Sequence, residues 1–208
     1  MRGIFISFEG GEGAGKSTQA RALAARLRAE GKTVLLTREP GGAPGAEEIR
    51  QLLVTGEPAR WTPVTEILLH FAARSDHLAR TVRPALERGE WVICDRFVDS
   101  TTAYQGYGQG VPLPDIEWLS RFVVGDDGPR LTFILDVPVE TGLARAASRA
   151  GAETRYERMD LSFHERLRSA FRAIADHDPA RCRVIDASLS PEQIEMTIWD
   201  AVRSHLLP

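Results

Sequence analysis

Short apolar runs alternate along the chain with longer stretches whose apolar residues recur every three or four positions. Gly3–Glu9 (GIFISFE) is apolar almost throughout and predicts a buried strand. Ala20, Leu23, Ala24 and Leu27 then fall on one face of a helix over Lys16–Glu30, with Gly31 where a helix ends. Thr33–Thr37 predicts a second strand, Glu39–Gly45 a turn, and Ala46–Thr55 a short helix. Val64, Ile67, Leu68, Phe71, Ala72 and Leu78 stripe a helix over Pro63–Arg88 that Pro84 kinks or ends. Trp91–Cys94 predicts a third strand, and Asp99–Gly110 a polar, glycine-rich connection. A helix over Pro114–Val124 precedes a fourth strand, Leu131–Leu135, with Asp136 as a cap for a helix starting near Pro138. Leu161–Asp176 reads as a helix, Arg183–Ile185 as a fifth strand, and Pro191–Leu206 as a last helix.

Strands that are short and wholly apolar, separated by helices, form parallel sheets covered on both faces. The fold class is therefore α/β, a three-layer αβα domain. Ligands of such sheets bind beyond the carboxyl ends of the strands. That singles out Glu9–Ser17, Arg38–Gly42, Asp95–Arg96 and Asp136.

Composition narrows the class. The 208 residues suit one domain, and the net charge of −3 gives no general signal for nucleic acid. No apolar stretch reaches the ~20 residues of a membrane span, and the N-terminus has no leader pattern. Two cysteines exclude a disulfide framework and fit a cytoplasmic setting. The chain holds only two lysines, and one of them, Lys16, lies in a glycine-rich loop.

That loop, Gly10-Gly11-Glu12-Gly13-Ala14-Gly15-Lys16-Ser17, matches G-x-x-x-x-G-K-[ST] between a strand and a helix, with Thr18 following. Its backbone N–H groups and the helix start cradle phosphates, Lys16 reaches the β- and γ-phosphates, and Ser17 can ligate Mg²⁺. A GTPase of this class reads guanine with Asn-Lys-x-Asp; this chain has no Asn, so a small-molecule kinase is favoured. Arg38 and Arg96, each at a strand end, suit a second phosphate. Asp95 is a candidate for orienting the metal, with Asp136 as its rival. Phe71 and Arg74 share a helix face and together suit a base; His70 and His77 fall on another face and are expected to be solvated. Arg145, Arg149, Arg155 and Arg158 cluster where a closing segment could bring positive charge to the transition state.

FEGGEGAGKST (Phe8–Thr18), TREPGG (Thr37–Gly42), FAAR (Phe71–Arg74) and DRFVDSTTAYQG (Asp95–Gly106) together resemble the thymidylate kinase family, bacterial type, along essentially the whole chain. The resemblance implies a P-loop NTPase-type five-stranded parallel sheet and a single nucleoside monophosphate kinase domain over 1–208, with a mobile lid at about 145–158. It implies transfer of the ATP γ-phosphate to dTMP with Mg²⁺, in a cytoplasmic homodimer that uses helix faces. By the same resemblance Glu12 approaches the 3′-hydroxyl of dTMP, and Arg38 and Arg96 bind its phosphate. Phe71 stacks on thymine, Arg74 and Thr101 bond its edge, and Tyr104 and Gln105 complete the pocket. Arg145 and the loop Ala187–Pro191 flank adenine. Some members carry a catalytic arginine at the position of Gly13; here the lid must supply it, from Arg149 first and Arg155 second. The lid departs from the family's R-G-x-x-D-R-x-E pattern by one extra residue, with Thr154 where Asp is usual.

Overall fold

A computed structural model describes residues 2–148 and 155–207. Five strands, β1 (Phe5–Glu9), β2 (Val34–Arg38), β3 (Trp91–Asp95), β4 (Leu131–Asp136) and β5 (Cys182–Asp186), form one sheet in the order β2-β3-β1-β4-β5. Every pairing is parallel. β1 is central, and its neighbours lead the chain to opposite edges. Its carboxyl end is therefore the point where the strand order reverses and a crevice opens.

The central strands are buried on both faces, which is why they carry unbroken apolar runs rather than alternation. Ile6, Phe8, Ile93 and Phe133 pack against Leu23 and Leu27 of α1 (Lys16–Ala29) and against Ile194, Ile198 and Trp199 of α9 (Pro191–Leu206). Phe5, Val92 and Cys94 face Leu78, Val82 and Leu86 on the other side. Ile134 meets Phe163, Leu167 and Phe171 of α8 (Leu161–His177) there as well. The remaining helices are α2 (Pro44–Val54), α3 (Pro63–His77), α4 (Arg83–Glu87), α5 (Val98–Thr101), α6 (Leu113–Val123) and α7 (Val139–Ala147).

Three stretches differ from the sequence expectation. The long helix over Pro63–Arg88 is interrupted before Pro84: a π turn over Leu78–Val82 separates α3 from α4. Proline has no N–H for the carbonyl one turn earlier, so the ladder changes register there. Asp99–Gly110 is helical through α5 and a second π turn over Thr102–Gly108. Ser100, Thr101, Tyr104 and Gln105 line a cleft instead of facing bulk solvent, and all four are buried. Asp136 does not cap α7, whose first flanking residue is Pro138. Asp136 instead accepts a two-pronged ion pair from Arg168 of α8, at 2.6 and 3.0 Å. Among the described residues no helix is long and apolar enough to cross a membrane.

Candidate active site

β1 ends in Glu9, and the chain turns at Gly10 to feed α1. Gly13 and Gly15 take φ of +65° and +92°, which other residues adopt only with strain. At Gly13 a Cβ would also drive into the backbone carbonyl of Gly142. No side chain fits there, so a loop arginine is sterically excluded in this chain. The turn leaves the Lys16 ammonium folded back on the carbonyls of Gly10 (3.1 Å) and Gly11 (2.6 Å). Burial and then the Arg96 charge push it down to about 8.

Ser17 opens α1 and donates to Asp95 at the end of β3. These two oxygens beside the phosphate loop fit a hydrated Mg²⁺ that arrives with nucleotide phosphates. Among the described residues no group of three or more His, Cys, Asp or Glu could hold a metal alone. Asp136, the rival metal residue, is held by Arg168 and also approached by Arg172 at 3.5 Å, which leaves Asp95 better placed.

Arg96 follows β3 with φ +71°, unusual for a residue with a side chain. Its N–H donates to the Phe8 carbonyl at 2.9 Å. Buried Glu9 clamps the next turn by accepting from Phe97 N (2.7 Å) and Ser100 Oγ (2.5 Å). Burial, reinforced by nearby Asp99, raises the Glu9 carboxyl to about 7. The clamp aims the Arg96 guanidinium at the phosphate loop, where it donates to Gly10 O (3.1 Å), Ser100 Oγ (3.2 Å) and Glu12 (2.9 Å). Glu12 also accepts from the Tyr104 hydroxyl at 2.6 Å. Burial alone would raise the Glu12 carboxyl, but the charges of Arg96 and Lys16 and the Tyr104 hydroxyl hold it at about 2. Burial pushes the Tyr104 phenol well up.

Glu12, Lys16, Ser17, Asp95, Arg96, Ser100 and Tyr104 line one cleft of about 640 Å³, together with Arg38, Arg74, Thr101 and Gln105. Arg38 is exposed and reaches Glu47 at 3.2 Å. Arg74 is buried; it donates to Glu39 at 2.8 Å and to Thr101 Oγ1 at 3.0 Å. The expected base-edge pair is thus already bonded together. Glu39 also meets His77 Nδ1 at 3.0 Å, and His77 Nε2 lies 2.8 Å from Thr37 Oγ1. The REPGG turn is therefore anchored through Glu39 and the side chains behind it.

Several expectations are corrected by position. His77 is fully buried, not solvated, because it serves Glu39. His70 is partly buried and lines the cleft. Phe71 does not line it: 2% exposed, it packs on Ile67, Val111 and Ile116, with the Arg74 guanidinium 4.8 Å above its ring. Phe71 supports Arg74 from the core side. Arg155 is 2% exposed and paired with Glu66 of α3, and it also donates to Leu53 O (3.1 Å) and Glu57 O (3.2 Å). In this arrangement it serves the packing of α3 and the end of α2, not a reacting phosphate. Gln105 donates to Glu66 at 2.7 Å, as do Gln109 at 2.7 Å and Tyr156 at 2.9 Å. Arg145 donates to Ala187 O at 2.9 Å, which brings α7 and the 187–191 loop together. Arg149 lies outside the described residues.

The sequence singles out the stretches that hold Glu9 and Glu39 without giving either residue a role, and it assigns none to Glu66, Ser100 or Tyr156. Each acts by orienting another residue, and only Glu9, an acid ending an apolar strand, carries a local signal.

A sequence model of the thymidylate kinase family matches residues 8–198. A thymidylate kinase of Caulobacter vibrioides is 56% identical over 205 residues, covering 99% of this chain and 98% of that protein. One from Bradyrhizobium sp. (strain BTAi1) is 54% identical over 208 residues, covering 99% of this chain and 92% of its own. The crystal structure of thymidylate kinase from Ehrlichia chaffeensis aligns with a TM-score of 0.79 at 35% identity, over 97% of this chain and 99% of that one.

Proposed function

The chain belongs to the thymidylate kinase family, an ATP-dependent nucleoside monophosphate kinase that converts dTMP to dTDP, and from that premise we propose how its residues divide the work. The loop Gly10–Thr18 holds the ATP phosphates, with Lys16 on the β- and γ-groups and Arg145 beside adenine. Arg38 and Arg96 hold the dTMP phosphate facing it. Arg74, Thr101 and Gln105 take the base edge, and Glu12 and Tyr104 the deoxyribose. The observation that carries this reading is the shared cleft, with Lys16 and Arg96 on the phosphate loop at one end and the Arg74–Thr101 pair at the other.

Ser17 would hold Mg²⁺ directly and Asp95 through water, and the ion would neutralise charge on the ATP phosphates. The acceptor is already an anionic phosphate oxygen, so this chain needs no general base. Its cations act by position: they align acceptor and donor in line and oppose the charge that spreads over the transferring group. Glu12, held ionised, fixes Arg96 toward the loop. Burial of Tyr104 beside it leaves little room at the sugar for a 2′-hydroxyl. The setting is cytoplasmic. The protein works as a homodimer, a reading supported by Val64 and Leu68 of α3 and Trp118 and Phe122 of α6, which are 52–76% exposed. Trp118 and Phe122 stack on each other at 5.5 Å.

With ATP and Mg²⁺, turnover of dTMP is expected to exceed that of dCMP, dGMP and UMP by about 100-fold or more in kcat/KM, the discrimination of a site built from buried polar groups. A preference for UMP or for a free nucleoside in a coupled ADP-release assay would overturn the assignment.

The transition-state arginine in this reading is Arg149, within a lid at about 145–158. Gly13 has no room for a side chain and Arg155 is engaged elsewhere. Arg149→Ala is expected to lower kcat about 100-fold with KM for ATP within threefold, the pattern of a contact made mainly in the transition state. An unchanged kcat would remove Arg149 from the mechanism.

A further inference from the structure

The ring facing the acceptor base is the one part of this cleft where residue and role are at odds. Phe71, the obvious candidate, lies in the core beneath Arg74. One turn before Arg74, on the same face of α3, stands His70, and residues four apart on a helix are neighbours. The cleft wall is lined by both.

Two further observations locate the base. Arg74 is buried with Nε on Glu39 and Nη2 on Thr101, while its Nη1 has no partner. Gln105 is buried with its amide nitrogen on Glu66, while its Oε1 has no partner. A donor and an acceptor thus stand ready in one pocket, as a ring carrying adjacent C=O and N–H groups requires. The other rings of the wall are engaged. Phe97 is 1% exposed, against Phe5 at 4.9 Å and the Arg74 guanidinium at 5.2 Å. Tyr104 has Arg96 over its face at 5.0 Å and Tyr156 against its edge at 5.2 Å.

We propose that His70 is the residue that stacks on the acceptor base, with Tyr156 fixing the plane of its imidazole. This rests on the dTMP reading above and deepens it. The hydroxyl of Tyr156 gives its single proton to Glu66, so at 3.1 Å its oxygen must accept from His70 Nε2–H. One tautomer and one ring orientation follow. Burial, with the charges of Arg74, Arg155 and Arg96, pushes the imidazole down to about 3. The ring is therefore neutral at any assay pH and adds no repulsion toward Arg74. Glu66 at the end of this chain also pairs with Arg155, so the strap after residue 154 and the base wall share one anchor.

The test separates this claim from the activity itself. Wild-type turnover of dTMP tests the activity; the behaviour of residue 70 tests the ring. His70→Ala is expected to raise KM for dTMP about 10-fold with kcat and KM for ATP within twofold, since base–aromatic stacking is worth ~1–3 kcal/mol by alanine substitution. His70→Phe is expected to restore KM for dTMP, because a phenyl ring stacks without needing the hydrogen bond. In the wild-type protein, the ring protons of His70, assigned by their loss in His70→Phe, are expected to move upfield on saturation with dTMP. They are expected to stay in place with 2-deoxyribose 5-phosphate, which lacks the base. Ring protons that do not move with dTMP, a KM for His70→Ala within twofold, or a failure of phenylalanine to restore it would each overturn the proposal.

Discussion

Lys16→Ala is expected to lower kcat about 10³-fold, about 4 kcal/mol of transition-state stabilisation, the upper end of what one preorganised donor supplies. The ammonium lies under the glycine loop, within 3.1 Å of two backbone carbonyls, and burial and Arg96 hold it at about 8. It is therefore still mostly charged near neutral pH, and incoming phosphates would bind the charged form further. Folding lowers this amine from its ordinary 10.5, so the charged form is less welcome in the folded protein than in the unfolded chain. That cost is full below about pH 8 and fades as pH rises toward 10.5. Removing the amine should then leave the melting temperature at pH 7 no lower than wild type. Steady-state kinetics with saturating ATP and dTMP, alongside a thermal melt, checks both halves. A kcat within tenfold of wild type would take Lys16 out of the chemistry, whereas a collapsed melt would mean the lysine is structural.

The sheet was legible because each of its strands is a short apolar run bounded by turn residues, and the phosphate loop because its chemistry is local. Strand ends moved by one or two residues, as at Arg38 and Asp95, which continue the ladder while facing the cleft. Helix periodicity was less decisive. From Arg74 a partner three residues back is as good a neighbour as one four back, and that one-residue choice decides which ring faces the base. Phe71 has the right chemistry and His70 the right position; only packing against Val111 and Ile116, far along the chain, separates them. The run Asp99–Gly110 reads as loop because its polar residues look like solvent-facing ones. In the fold they face a second polar surface, with Gln105 on Glu66 and Tyr104 on Glu12. Orienting residues were the least legible of all. Glu39 and Glu66 sit among ordinary helix and turn positions, and their partners at Arg74, His77, Gln105 and Arg155 lie 35 or more residues away.

Arg155 sharpens the question of which arginine acts on the transferring phosphate, and Arg155→Met is expected to answer it through stability, not rate. Glu66 is fully buried, and among the described residues its partners besides Arg155 are uncharged donors on Gln105, Gln109 and Tyr156. Removing one partner of a buried ion pair leaves the other charge uncompensated, at a cost of about 3–5 kcal/mol. For a chain of this length that corresponds to a melting temperature lower by about 6–20 °C. Methionine keeps the length and apolar stem of the side chain, so the loss isolates the charge and its bonds to Leu53 and Glu57. At 25 °C the folded fraction is expected to keep kcat within about threefold, because Glu66, Leu53 and Glu57, which hold Arg155 here, lie outside the phosphate loop. Glu66→Gln is expected to destabilise in the same direction, since it strands Arg155 instead, and the two changes together should cost less than their separate sum, as for residues in one network. The opposite pattern, a kcat loss of 100-fold or more with an unchanged melt, would place Arg155 at the reacting phosphate. It would then require this segment to leave Glu66 whenever both nucleotides are bound.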